Sequence, residues 1–248
     1  MVMDDCKGRG LSGNVLKLLA ALSMLLDHMG LILFPNVGLL RILGRLAFPV
    51  YAFMIAEGCA HTKHRARYFL SVFLLGAACQ VVYGFVSSNA YMGILLTFSL
   101  SILVVYAMQA WKCVLVDEAR RLGTRLLATL GFAAVVLGVY VLTELVRFDY
   151  GFWGCMAPVF ASLLRAPRTG GSMIWKQLDK RAWHVLTLGI CLLILAFVFG
   201  GIRFYMLLAV PLLLLYSGKR GRGNMKYFFY VFYPAHIVIL ECIAYVVG

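Results

Sequence analysis

Three ionisable residues stand on one apolar stretch near the start of the chain: Lys17, Asp27 and His28, in Lys17-Leu-Leu-Ala-Ala-Leu-Ser-Met-Leu-Leu-Asp27-His28. A charged side chain at bilayer depth costs about 2.5–3.5 kcal/mol on insertion scales, so by default it marks a pathway or a site. Eleven residues at about 100° each leave only about 20° after three full rotations. Lys17 and His28 therefore share one helix face, about 16 Å apart along the axis. A cation at one depth and an imidazole at another, along one wall, predict a site spanning much of a membrane. His28 is the group there that can exchange a proton near neutral pH. It is the candidate general base.

The next apolar stretch supplies partners. His28 lies six residues before Phe34, and Arg45 lies six residues after Leu39, where the chain re-enters. Asp27, His28 and Arg45 are expected at similar depth in the outer half, with Lys17 and Glu57 at a matched depth further in. A carboxylate beside a histidine can orient the ring and raise its basicity, while a facing arginine offers a fixed charge to a developing oxyanion. Arg41 adds a second cation one turn before Arg45. The plainer alternative is that Asp27–Arg45 and Lys17–Glu57 only neutralise one another and fix helix packing. Both readings stand on the sequence alone.

A second cluster, Glu57-Gly-Cys-Ala-His61-Thr-Lys63-His64-Arg65-Ala-Arg67, closes that stretch. As an orientation signal it needs no further role. Lys63, Arg65 and Arg67 also form a candidate phosphate site, because arginine binds phosphate bidentately and lysine as a point charge. Near the C-terminus, Tyr227-Phe-Phe-Tyr-Val-Phe-Tyr-Pro234-Ala-His236 places a helix-loosening proline beside a histidine. His236 is either a second catalytic group or a packing residue. His184, after Trp183 at a membrane boundary, reads as an interfacial anchor.

These residues need helices to carry them. The 248 residues are 63% hydrophobic and only 13% charged, against about 45–50% and about 25% in soluble domains. Apolar stretches fit a hydrocarbon core about 30 Å thick at 14–34, 39–60, 68–87, 93–111, 126–146, 151–164, 183–200, 203–217 and 227–247. The fold class is all-α: a polytopic integral membrane protein of about nine transmembrane helices with a cytoplasmic N-terminus, forming a single domain over 1–248. The sixth span is the shortest and contains Pro158. Asp4 and Asp5 sit where a signal peptide would be basic, so the first span reads as retained.

The net charge is +13. Alternating the loops places most basic residues on one side, with Arg41, Arg45, Arg147 and Arg203 toward the other. The positive-inside rule accounts for that charge, and no nucleic-acid partner is expected. The seven cysteines are scattered, mostly in apolar spans and without C-x-x-C. Neither a disulfide framework nor a metal site is expected.

Together the motifs resemble the TraX family, which is linked to acetylation of conjugative pilin. The resemblance rests on Lys17-Leu-x-Ala with Met24-Leu-Leu-Asp27-His28-Met-Gly30, then Gly44-Arg45-Leu-Ala-Phe48-Pro49-Val-Tyr-Ala-Phe53, then Glu57-Gly58-x-x-His61-Thr62, and the aromatic run ending at His236. The family is similar in turn to broader membrane acyltransferases, whose sugar O-acetylases carry a basic residue eleven positions before a histidine. Lysine stands here where those have arginine. The resemblance implies a bacterial cytoplasmic-membrane enzyme taking acetyl-CoA from the cytoplasm. The acetyl group would go to an acceptor near the other face: a pilin amine, a sugar hydroxyl or a peptide. A coenzyme A phosphate at Lys63, Arg65 and Arg67 would let the pantetheine arm thread past Lys17 and Glu57 to His28. The competing classes are a proton- or solute-coupled transporter and a non-catalytic pilus or secretion assembly factor. No inverted repeat of the transporter kind is visible.

Overall fold

The computed structural model describes residues 10–86, 92–169, 172–223 and 225–247. Asp4, Asp5, Cys6, Lys7 and Arg9, residues 87–91 of one short connection, and the Gly170-Gly171 pair lie outside the described residues. The regular elements described are all helical: α1 (Gly13–Ile32), α2 (Gly38–Gly44), α3 (Ala47–His61), α4 (Arg65–Val86), α5 (Ile94–Val116), α6 (Leu122–Leu145), α7 (Gly151–Ala161), α8 (Met173–Leu178), α9 (Arg181–Phe199), a 3-10 helix (Gly201–Leu208), α10 (Ala209–Leu214) and α11 (Lys226–Val247).

Seven helical segments are long and apolar enough to cross a membrane, α2 and α3 counting together as Gly38–His61. Two shorter apolar ones, Gly151–Ala161 and Gly201–Leu214, fall at the sixth and eighth of the expected spans. The sixth, α7, has 11 residues, about 16 Å of helix against a core of about 30 Å. Large apolar side chains such as Leu126, Leu127, Leu130 and Leu137 of α6 are exposed, where a bilayer rather than water must cover them. The protein is an all-α, multi-pass membrane protein.

The helices group into two compact units, one of Met1–Met54 with Leu192–Gly248 and the other of Ile55–Cys191. In unit one, α1 packs on α2 and α11. Its first amide groups lack intrahelical acceptors and find them in the basic loop before α11. Gly13 N donates to Lys219 O and Asn14 N to Arg220 O, at 2.8 and 2.9 Å. Ser12 caps the helix by accepting from Val15 N.

The second span is not one straight helix, as the apolar run predicts, but is broken at Arg45–Leu46 between α2 and α3. Pro49 is the physical reason. It has no N–H to give the carbonyl of Arg45 four residues back, and its ring would collide with that carbonyl. The break releases other carbonyls as well. The Ser23 hydroxyl from α1 answers two of them, 2.6 Å from Leu43 O and 3.1 Å from Gly44 O.

In unit two, α5 packs against α4, α6 and α7. Sequence counting puts Lys112 in a cytoplasmic loop, but α5 continues to Val116 and Lys112 is buried. Its ammonium donates to Ser162 O, Leu163 O and Arg165 O at 3.2, 2.6 and 3.2 Å. Those carbonyls follow the C-terminal end of α7, where a cation complements the helix dipole and satisfies orphan acceptors.

Candidate functional site

Close helix approach builds the first cluster, in unit one. A Cβ added at Gly44 would come within 2.3 Å of Asp27 Cβ, and one at Gly30 within 2.9 Å of Leu40 Cβ. Glycines at both points let α1 and α2 touch backbone to backbone, so the short side chain of Asp27 reaches the α2 arginines. Arg45 Nη2 pairs with Asp27 Oδ1. Arg41 Nε lies 3.2 Å from the same oxygen. The carboxylate–arginine pair anticipated from helix depth is present, with a second cation beside it.

The expected contact between Asp27 and the His28 ring is corrected. Adjacent helical residues point about 100° apart, so Asp27 turns to the arginines while His28 turns elsewhere. His28 Nδ1 lies 2.9 Å from Met24 O, one turn back in its own helix. Its other neighbour is His236 of α11, whose Nε2 is 3.3 Å from His28 Nδ1. The rings meet edge to face with centroids 4.9 Å apart and planes at 71°. His236 in turn places Nδ1 2.8 Å from Phe232 O and stacks on the Phe232 ring.

Those contacts fix the tautomers. Carbonyl oxygens only accept, so Nδ1 of each ring carries the proton. His236 Nε2 then presents a lone pair toward the His28 Nδ1–H, which is shared with Met24 O. His28 Nε2 is left as the basic nitrogen, with no hydrogen bond among the described residues, and it is not among the occluded, unpartnered atoms. A base oriented through its other nitrogen by two acceptors is equipped to take a proton and hold it. Beside it on α1, Asp27 holds both Arg41 and Arg45 on one carboxylate oxygen.

Of the other predicted residues, Lys17 sits on α1, where the Tyr51 hydroxyl reaches its carbonyl at 3.5 Å. The counterion expected for Glu57 is Lys17. Instead Arg165 Nη2 pairs with Glu57 Oε1 in unit two, and His61 Nδ1 lies 3.8 Å from Oε2. Helix counting fixes depth but neither azimuth nor neighbour, and Arg165 arrives from 108 residues away. Lys63 and Arg67 are exposed. Arg65 lies over the Tyr106 ring at 5.4 Å. His184 is buried rather than interfacial, with Nε2 2.8 Å from Asp179 Oδ1.

Unit two also holds a cavity of about 230 Å³ lined by Cys59, His61, Gln109, Ser162, Arg165, Arg168 and Asp179 among others. Arg168 Nη2 donates to Cys59 O at 3.0 Å. Arg165 and Arg168 enter the sequence reading only as orientation charges. Their signal is an Arg-x-x-Arg pair directly after a short apolar span.

A family described as TraX protein matches residues 12–244. The chain belongs to the TraX family. The match covers α1 with Lys17, Asp27 and His28, the broken second span with Arg45, and α11 with His236. The chain is 27% identical over 243 residues to a probable fimbrial assembly protein (FimC, serogroup H1) of Dichelobacter nodosus, covering 91% of this chain and 92% of that one. It is 48% identical over 40 residues to an uncharacterised protein of Rickettsia prowazekii, covering 16% of each. No solved structure matches. In this TraX chain the first and last motifs quoted above, from opposite ends of the sequence, meet at the His28–His236 contact.

Proposed function

We propose that the protein is a membrane-embedded acetyltransferase in which His28 Nε2 is the general base. The observation that carries the reading is the His28–His236 contact, which frees Nε2 and backs the ring with acceptors at Nδ1. In the proposed reaction the acceptor O–H or N–H gives its proton to His28 Nε2 as its heteroatom attacks the thioester carbonyl of acetyl-CoA. The C–S bond then breaks, and the departing thiolate takes the proton back from the imidazolium. Arg41 and Arg45, both held at Asp27, would stabilise the oxyanion of the tetrahedral intermediate. Lys63, Arg65 and Arg67 remain the proposed contacts for the donor's phosphates, with Lys17 along the route. Glu57 is reassigned from donor binding to holding Arg165.

An amine and a hydroxyl would both meet the base. Labelled acetyl-CoA incubated with purified protein tests the proposal. Acetyl transfer or thioester hydrolysis that disappears in His28→Ala is expected. Turnover unaffected by that substitution would overturn it.

A second reading, a non-catalytic assembly role, draws on the similarity to the probable fimbrial assembly protein of Dichelobacter nodosus. It predicts that His28→Ala leaves surface-fibre assembly intact while the purified protein never turns over acetyl-CoA.

A further inference from the structure

The cavity in unit two lies at the C-terminal ends of α3 and α7, and its lining is largely polar. Ser162 is 0% exposed and Gln109 8%. Ser162 Oγ, Gln109 Oε1 and Arg165 Nε are all occluded without a hydrogen-bond partner. Ser162, Gln109 and Arg165 all line the same space. A buried polar atom left unpaired costs about 1–3 kcal/mol, so an occupant toward which these side chains turn would relieve that cost. Water could answer some of them, since the volume holds about seven molecules at about 30 Å³ each.

The charges select something other than water. Arg165 keeps its Nη2 on Glu57 and turns Nε, unpartnered, along the wall. Arg168 reaches the neutral carbonyl of Cys59 and meets no carboxylate among the described residues. Asp179 is the acid in the lining, and both its oxygens are engaged, by Ala166 N at 3.1 Å and His184 Nε2 at 2.8 Å. Lys112 holds the carbonyls on either side of this turn and so fixes where Arg165 starts. The cavity therefore presents guanidinium groups from a braced turn, a hydroxyl and an amide.

We infer that this cavity binds a phosphate group, with Arg165 and Arg168 as its cations and Ser162 and Gln109 as its neutral contacts. Guanidinium forks match phosphate oxygens, and such charge-assisted bonds are about twice as strong as neutral ones. The Gln109 amide can present either oxygen or nitrogen to the occupant, because its Nε2 makes no hydrogen bond among the described residues that a rotation would break. A volume below the roughly 300 Å³ of the smallest drug-sized pockets admits one or two phosphates and leaves the rest of the carrier outside. The inference rests on the cavity and not on acetyl transfer. A phosphorylated cofactor and a lipid headgroup share the required chemistry.

Radiolabelled pyrophosphate and equilibrium dialysis test it on the full-length protein in a phosphate-free maltoside detergent. Wild-type protein is expected to bind, and Arg168→Ala to weaken binding tenfold or more, with partial recovery in Arg168→Lys. Glu57→Gln with Arg165→Gln removes both charges of the ion pair without stranding either, and should also weaken binding. Competition identifies the carrier. Displacement by acetyl-CoA but not by acetyl-pantetheine names a nucleotide cofactor. Displacement by dioctanoyl phosphatidylglycerol names a lipid. His28→Ala should bind pyrophosphate normally, so a failure of the catalytic proposal is separable from a failure of this one. Absent binding in wild type, or binding equal to wild type in both Arg168→Ala and the double variant, would overturn the inference.

Discussion

Nε2 of His236 lies 3.3 Å from Nδ1 of His28, across 208 positions of sequence. The pair joins the first helix of the chain to the last, and each ring is anchored to a carbonyl one turn back in its own helix. The relationship assigns unequal roles. His28 keeps a free nitrogen, while His236 spends both of its own on neighbours.

His28→Ala should leave the protein folded and abolish transfer, since loss of a positioned base costs about 10²–10⁴-fold. His236→Ala should cost less, because Met24 O still orients the His28 ring. His236→Gln, which can return an acceptor to Nδ1, should recover part of the loss. Turnover measured beside thermal stability checks both. A dead His236→Ala with an active His28→Ala would move the chemistry to α11.

Removing one arginine from Asp27 should be milder than the about 3–5 kcal/mol typical of a stranded buried charge. The reason is that Arg41 stands 3.2 Å away when Arg45 is gone. Arg45→Ala is therefore expected to remain foldable, and the Arg41→Ala, Arg45→Ala double variant to approach the full penalty. Chemical denaturation of the single and double variants in detergent measures the difference.

Gly44→Ala is expected to destabilise by about 1–3 kcal/mol, the usual cost of overpacking, because the new methyl would meet Asp27 Cβ at 2.3 Å. Activity should fall with it as α1 and α2 separate. Gly38→Ala on the same helix meets nothing within 4 Å and is the control that should be near neutral.

Lys112→Met keeps the apolar length of the side chain and removes the donor to three carbonyls. A loss of about 1.5–3 kcal/mol is expected for hydrogen bonds from a charged group. Pyrophosphate binding should weaken too, since the turn carrying Arg165 and Arg168 loses its brace. Unchanged melting would mean that the turn is held by other contacts.

Cysteine tagging should place 61–67, 117–125, 165–181 and 219–226 in the cytoplasm and the C-terminus outside, as the basic loops require. A cytoplasmic C-terminus would mean that α7, with its 11 residues, does not cross.

Much of this protein could be read directly. Composition and run length dictate a helical membrane protein, because backbone groups in hydrocarbon must be paired within a segment. Charge rarity inside those runs singles out Lys17, Asp27, His28, Arg45, Glu57 and His236, since an ionisable group at that depth is costly enough to need a reason. Counting along two helices also anticipates the Asp27–Arg45 pair, because a short turn forces antiparallel neighbours into matched depth. Pro49 carried the break in the second span in plain view, though its consequence for Ser23 did not. What counting lacks is azimuth and partnership. It gave Glu57 the wrong counterion, turned Asp27 toward His28, left Lys112 in a loop, and treated Arg165 and Arg168 as orientation charges. Only packing decides such contacts, because a side chain bonds to whatever the third dimension brings within about 3 Å. For His28 that partner is His236, from the far end of the chain.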